Sequence, residues 1–356
     1  MKKRGLKIFS GAAVVLAAGL FLLNLGYTAG GSVSGEYCTL CHEIVPSRDH
    51  WAGSSHRNVQ CKACHGGLFT ANLGFHLNNF HRLLTHVKGE LPERIILDGA
   101  QADFVAGRCQ ACHQGNWSRW MAGGHSMRYA DVFLNVSQNR RVSLNEDCTR
   151  CHGMYDQGAV ESIVTPMDTL GPWRLLDPRK AGIHAIPCLA CHRVHAAGDT
   201  TAAPDYSRPK EISYSRTGKT ITPSLAFYDR RERMHFGAEI LPLPVVVDSA
   251  GRVITISPDR RQGLCYQCHA PQPGFRLASG DDRTPAGVHE GISCLGCHDP
   301  HSQDAAASCD NCHPKMSNCG LDVRRMDTTF RDLSSPHNIH RVSCLDCHPA
   351  GVPKKL

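Results

Sequence analysis

Eighteen of the 19 cysteines fall into nine copies of one string, Cys-x-x-Cys-His. The thiol pairs are Cys38 with Cys41, Cys61 with Cys64, Cys109 with Cys112, Cys148 with Cys151, Cys188 with Cys191, Cys265 with Cys268, Cys294 with Cys297, Cys309 with Cys312 and Cys344 with Cys347. The adjoining imidazoles are His42, His65, His113, His152, His192, His269, His298, His313 and His348. This is the pattern of c-type haem attachment. Two thiols bond covalently to the macrocycle edge, and the next residue reaches the iron from one side. Zinc ribbons and thiol-exchange enzymes also use Cys-x-x-Cys, but neither needs a following His. With 22 His in 356 residues, about one pair in sixteen would carry it by chance; here all nine do. Disulfide frameworks belong to short secreted chains. The expected cofactors are therefore nine haem c groups, each with iron, and the expected chemistry is electron transfer.

Thirteen histidines lie outside the motifs. His56, His184, His289 and His340 precede a motif by four or five residues, His195 and His301 follow a motif His by three, and His337 lies three before His340. A residue this close cannot swing to the far face of its own haem, so each suits the sixth position of a neighbouring iron. With His76 and His125 they form the set of candidate distal ligands. The alternative role is a hydrogen bond to a haem propionate. Two imidazoles per iron favour a lower potential than Met/His ligation, and a coordinated His does not titrate freely as a pH sensor. Met154 is either a sixth ligand or a gap filler beside a haem. Cys319, the odd thiol, reads as a buried free thiol, with an intermolecular bond or redox role as the alternative.

The aromatic share is only 6%. Haem explains the deficit, because each macrocycle is a large apolar body that replaces side-chain core. Beyond the N-terminus there is one motif per roughly 35 residues, too little chain to build a large core of its own. The 33 Gly and 20 Pro fit turn-rich wrapping. The formal charge of +7 does not argue for nucleic acid. Propionates add about 18 negative charges and ferric irons about nine positive ones, leaving the holoprotein near neutral.

The expected fold is a multihaem cytochrome c: mostly irregular, with short α-helices around stacked haems, one N-terminal transmembrane helix and a minor β-hairpin. Lys2, Lys3, Arg4 and Lys7 precede an apolar run from Ile8 to Tyr27, close to the ~20 residues that span a bilayer. A basic flank stays inside, which predicts an inner-membrane anchor with the haem domains facing the periplasm and in contact with lipid. A cleaved signal peptide is the alternative. The expected division is 1–30 anchor, 31–195 five-haem domain, 196–264 haem-free linker and 265–356 four-haem domain. Val245–Val247 and Val253–Ile256 flank a Gly-containing turn and predict a hairpin in the linker. Leu73, Leu77, Phe80, Leu84 and Val87 predict a helix carrying His76, His81 and His86 in different directions, so that one or two of them can reach a haem. A weaker helical signal runs from Trp117 to Leu134 and carries His125.

Residues 1–152 resemble the membrane-anchored tetrahaem quinol dehydrogenases of the NapC/NirT/NrfH type. The likeness rests on an N-terminal anchor running into Cys38-Thr39-Leu40-Cys41-His42-Glu43, then Pro46, Trp51, Ser54-x-His56 and the motif at Cys61, with Gly89-Glu90-Leu91-Pro92-Glu93 before the third motif. It implies a membrane quinol donor such as menaquinol and a periplasmic redox partner protein. The chain departs from the pattern at Ile44, where some members have Met. The quinone-site Lys and acidic residue also lack a clear equivalent, with His81, Arg82 and Lys88 the nearest basic residues. The second half, with His289-x4-Cys294 and His298-Asp299-Pro300-His301, looks like bis-histidine haem modules. The leading function is a nine-haem electron conduit. The alternative is a multihaem reductase of a nitrogen or sulfur oxyanion, which needs an open iron; all nine motifs end in His, and the spare histidines suffice to fill every iron. No catalytic residue stands out. Intact-mass measurement of the holoprotein should find nine covalent haems, and seven or fewer in a mature preparation would contradict the reading.

Overall fold

The computed structural model describes residues 42–65, 84–89, 96–139, 148–165, 173–195, 224–269, 282–302, 305–313 and 334–351, with a few isolated positions besides. Cys38, Cys41, His76 and Cys319 lie outside the described residues, as does most of the Leu73–Phe80 helix signal. Leu84–Val87 is helical, with Lys88 N–H donating to the Leu84 carbonyl at 3.1 Å. The chain divides into two compact units, Met1–Leu97 with Val194–Gly198, and Asp98–Arg193 with Asp199–Leu356.

The transmembrane helix expected over Ile8–Tyr27 is corrected. Among the described residues, no helix is long and apolar enough to cross a membrane. In that stretch the described helical positions are 11, 13–16, 18–19 and 22.

In the first unit, α1 (Val45–Ala52) starts with Pro46 in its first turn, where a missing N–H costs nothing. Its Trp51 is buried and donates Nε1–H to the Val59 carbonyl at 3.2 Å. Ser54 is also buried; its hydroxyl donates to Trp51 O and accepts from His56 N–H. These two residues turn the chain from α1 into α2 (Cys61–His65), the second motif.

The second unit is built from short pieces. α3 (Gly99–Cys109) is started by a capping box: Asp98 accepts from Gln101 N–H at 2.8 Å, and the Gln101 side chain accepts from Asp98 N–H at 3.2 Å. It ends at the third motif. The helix expected over Trp117–Leu134 breaks in two, α4 (Gln114–Ala122) and α5 (Tyr129–Phe133), because Gly123 and Gly124 interrupt it. His125 lies in the 3-10 turn between them. Tyr129, Phe133, Val160, Ile163, Val164, Trp173, Leu175 and Ala185 form an apolar core. A two-stranded pair, β1 (Val164–Thr165) with β2 (Arg174–Leu175), lies in that core.

Two hairpins follow. β3 (Ala226–Asp229) pairs antiparallel with β4 (Met234–Gly237), a hairpin without a clear signal in the sequence. The expected hairpin forms as β5 (Val246–Val247) and β6 (Val253–Ile254), with Val246 opposite Ile254. Its turn uses Gly251 at φ 81° and the Asp248 carboxylate, which accepts from the N–H groups of Ala250 and Arg252.

Near the C-terminus, Ala286 N–H donates to His340 O at 2.7 Å and Val288 N–H to Val342 O at 2.9 Å. Gly287 sits between them at φ +67°, where a Cβ would come 2.2 Å from the Val342 carbonyl oxygen. Only glycine fits this approach. Gly287→Ala should therefore cost about 1–3 kcal/mol and lower the melting temperature; an unchanged melting curve would contradict the close approach.

Candidate functional site

A helical turn repeats at the motifs. The N–H of the motif His donates to the carbonyl of the first Cys in six of them, joining His113 to Cys109, His192 to Cys188, His269 to Cys265, His298 to Cys294, His313 to Cys309 and His348 to Cys344, at 2.8–3.0 Å. Cys61–His65 and Cys148–His152 form single-turn helices, α2 and α6. Residues i, i+3 and i+4 share one face of a turn. Both thiols and the imidazole therefore project to one side, as gripping one haem edge and reaching its iron requires.

The second cysteines of three motifs make this dependence on the turn plain. Cys64 lies inside α2 and is half-buried. Cys112 follows the end of α3, where its N–H donates to the Cys109 carbonyl at 3.2 Å, and its side chain is exposed. Cys347 closes the short helical turn Cys344–Cys347, whose first thiol, Cys344, is also exposed. The protein alone does not enclose Cys112, Cys297 or Cys344. The expectation that Cys64, Cys112 and Cys347 bond to haem therefore rests on the motif and the turn, not on a formed pocket.

Six imidazole pairs stand among the described residues. In the first unit, His42 faces His86 at 5.5 Å between ring centres, and His65 faces His195 at 6.0 Å. In the second, His269 faces His125 at 6.3 Å, His192 faces His301 at 6.0 Å, His313 faces His289 at 6.3 Å and His298 faces His340 at 5.9 Å. Each pair joins one motif His to one His outside the motifs. A metal–imidazole bond is about 2 Å long and the ring centre lies roughly another 1 Å back, so two rings on opposite sides of one ion stand about 6 Å apart. These residues fit a six-coordinate haem iron.

Burial sets the protonation that ligation needs. It pushes the imidazoles of His65, His125, His289, His298, His301 and His313 down from their ordinary value. His195 falls to about 4, through burial first and then repulsion from His65, His50 and His56. Neutral imidazole is the ligating form. The ring nitrogen remote from a metal is normally held by an acceptor, and such acceptors are present. His289 Nδ1 lies 3.2 Å from the Ile339 carbonyl and His340 Nδ1 lies 3.1 Å from Asn338 Oδ1. The His42 and His86 pair differs, because one Glu43 carboxylate oxygen contacts both rings, His86 Nδ1 at 2.7 Å and His42 Nε2 at 3.2 Å.

The other expected residues have different surroundings. His184 bonds to Asp103 through Nδ1 at 2.6 Å. His337 lies 3.8 Å from Asp346, and His56 is one of the charges around His195. Met154 is buried. His86 was not among the candidate distal ligands: its place on the helix was legible, but its partner was not.

The motifs of the second unit touch one another. The thiols of Cys109 and Cys188, of Cys151 and Cys268, and of Cys265 and Cys294 lie beside one another, and Cys297 lies beside Cys309 and Cys312. Arg150, inside the fourth motif, donates to Gln267, inside the sixth, at 3.2 Å. A buried Asp259 carboxylate binds Arg261 at 2.8 Å and accepts from Ser293 at 2.9 Å, tying the approach to the sixth motif to the start of the seventh. The β3–β4 hairpin braces the fifth motif: Arg193 N–H donates to Ser224 O, Ala226 N–H to Cys191 O, and both Tyr155 and His235 hold the Leu189 carbonyl. The stretch expected to be a haem-free linker thus contributes to the walls of a motif.

Residues 31–203, just under half of the chain, match the family model described as outer membrane cytochrome MtrC/MtrF-like, domains II/IV. No curated protein and no solved structure matches the chain. With the motifs, the match establishes a multihaem c-type cytochrome carrying haem c. It also corrects the expected inner-membrane placement with a single anchor, because the matching family is of outer-membrane type and no described helix can span a bilayer.

Acid should destabilise the haem-free chain, in which no iron holds His195. The unfolded chain takes up protons below about pH 6.5, while His195 resists until about 4. Its contribution is complete above pH 6.5 and lost as pH falls towards 4. The melting temperature should drop across that window, and a flat profile would contradict neutral burial.

Proposed function

We propose that the chain carries nine haem c groups and works as an electron carrier, with most irons closed by two imidazoles. The observation that supports this is the pairing of motif with non-motif histidines: His42 with His86, His65 with His195, His269 with His125, His192 with His301, His313 with His289 and His298 with His340. When bound, haem iron supplies a one-electron ferric/ferrous couple. The chain's part would be to hold each macrocycle by two thioethers and offer paired imidazoles to its iron, with burial favouring the neutral form of His65, His125, His195, His289, His298, His301 and His313. An iron closed on both faces has no position for substrate, which favours transfer over reduction of an oxyanion. Proximity between thiols of different motifs supports close spacing of the attached groups.

The match to an outer-membrane cytochrome family supports delivery of electrons outward, to a partner redox protein or an acceptor beyond the cell surface. A quinol, menaquinol for preference, is the proposed electron source; the likeness of residues 1–152 to quinol dehydrogenases supports it.

Carbon monoxide tests the carrier reading. The reduced holoprotein should bind little or none, and His301→Ala should create one carbon monoxide-binding iron. Ready binding by the unaltered protein would favour a reductase. A menaquinol analogue should reduce the protein; if only soluble donors do so, the quinol source falls and the carrier reading stands.

A further inference from the structure

His184 is held in an unusual way. Its backbone hydrogen-bonds bracket it: Tyr129 N–H donates to Ile183 O at 2.9 Å and Ala185 N–H to Met127 O at 2.8 Å, so His184 stands opposite Arg128 in a short antiparallel bridge. The Asp103 carboxylate, on α3, accepts from its main-chain N–H at 3.3 Å and from ring Nδ1 at 2.6 Å. A carboxylate only accepts, so Nδ1 carries the proton and Nε2 presents a lone pair. That Nε2 is buried and has no hydrogen-bond partner. Trp120 packs 4.7 Å from the ring and Trp117 6.4 Å, walling it from water. A buried acceptor left unpaired is unfavourable, and a His whose other nitrogen is fixed by a carboxylate is the usual arrangement of a metal ligand.

We propose that Asp103 is a positioning residue that fixes His184 as an axial ligand of a haem iron and lowers the potential of that iron. The inference rests on the bis-histidine reading above. The iron belongs to another motif, since His184 lies only four residues before Cys188, and His192 of that motif already faces His301. The acceptors behind His289 and His340 are a carbonyl and an amide oxygen. Asp103 places a full negative charge at the same position. A negative charge behind the ligand stabilises the ferric state over the ferrous, as charge and hydrogen bonds around a metal generally tune it. Glu43 makes a similar contact to His86, but His86 is exposed and water screens the pair. The His184 ring is largely buried.

The holoprotein variants His184→Ala, Asp103→Asn and Asp103→Glu separate the two levels of the argument. His184→Ala should convert one low-spin iron to high spin; an unchanged paramagnetic resonance spectrum would remove His184 as a ligand. Asp103→Asn should keep every iron low-spin and raise one midpoint potential, changing the ferric-to-ferrous ratio at fixed electrode potential by roughly tenfold. Asp103→Glu should move that midpoint back towards the original. If Asp103→Asn leaves all midpoints in place while His184→Ala creates a high-spin iron, the ligand stands and the role of Asp103 falls.

Discussion

Two neutral imidazoles must meet across one metal ion, about 6 Å apart, and much of the rest of the molecule follows from that requirement. One ring is delivered locally, because a helical turn puts Cys, Cys and His on one face. The other has to come from elsewhere, and elsewhere is often far along the chain. His125 faces His269 and His192 faces His301, each pair joining segments more than a hundred residues apart. Bound iron would close these loops as a cross-link does, and long loops gain most from closure. A chain tied at many such points needs little regular structure, and the described residues have little: short helices, 3-10 turns and two-stranded ribbons.

The polypeptide core is correspondingly local. The cluster around Tyr129, Phe133 and Ile163 holds the Met127–Tyr129 segment against Ile183–Ala185, and that pairing fixes His184. The β3–β4 hairpin stacks Tyr228 on Tyr155 at 4.1 Å and braces the fifth motif. Gly287 lets the backbone carrying His289 lie against the backbone carrying His340. Packing here serves chiefly to aim imidazoles.

What the sequence disclosed was what is local. The nine motifs, the spare histidines beside them and the β5–β6 hairpin follow from spacing and β-branching. The surroundings of each thiol did not follow: Cys191 is packed against the β3–β4 hairpin, while Cys112, in an identical string, is exposed. The Gly123-Gly124 pair was visible, yet the apolar pattern on either side suggested one continuous helix, and the glycines broke it. His86 was legible as a helical residue, but its position opposite His42 depends on how the chain folds back. The same holds for Asp103, an ordinary acidic residue until α3 brings it to His184. The apolar N-terminal run satisfied a composition rule for a span, and the described helices do not meet the length that rule presumes.

The most direct test of paired ligation is the paramagnetic resonance spectrum of the fully oxidised holoprotein. Ring planes are nearly parallel in the pair His192 and His301, at 2°, and in His298 and His340, at 6°, but nearly perpendicular in His289 and His313, at 88°. Low-spin ferric signals of two kinds are expected: rhombic ones from the parallel pairs and a strongly anisotropic one from the perpendicular pair. A spectrum dominated by high-spin iron would contradict paired ligation.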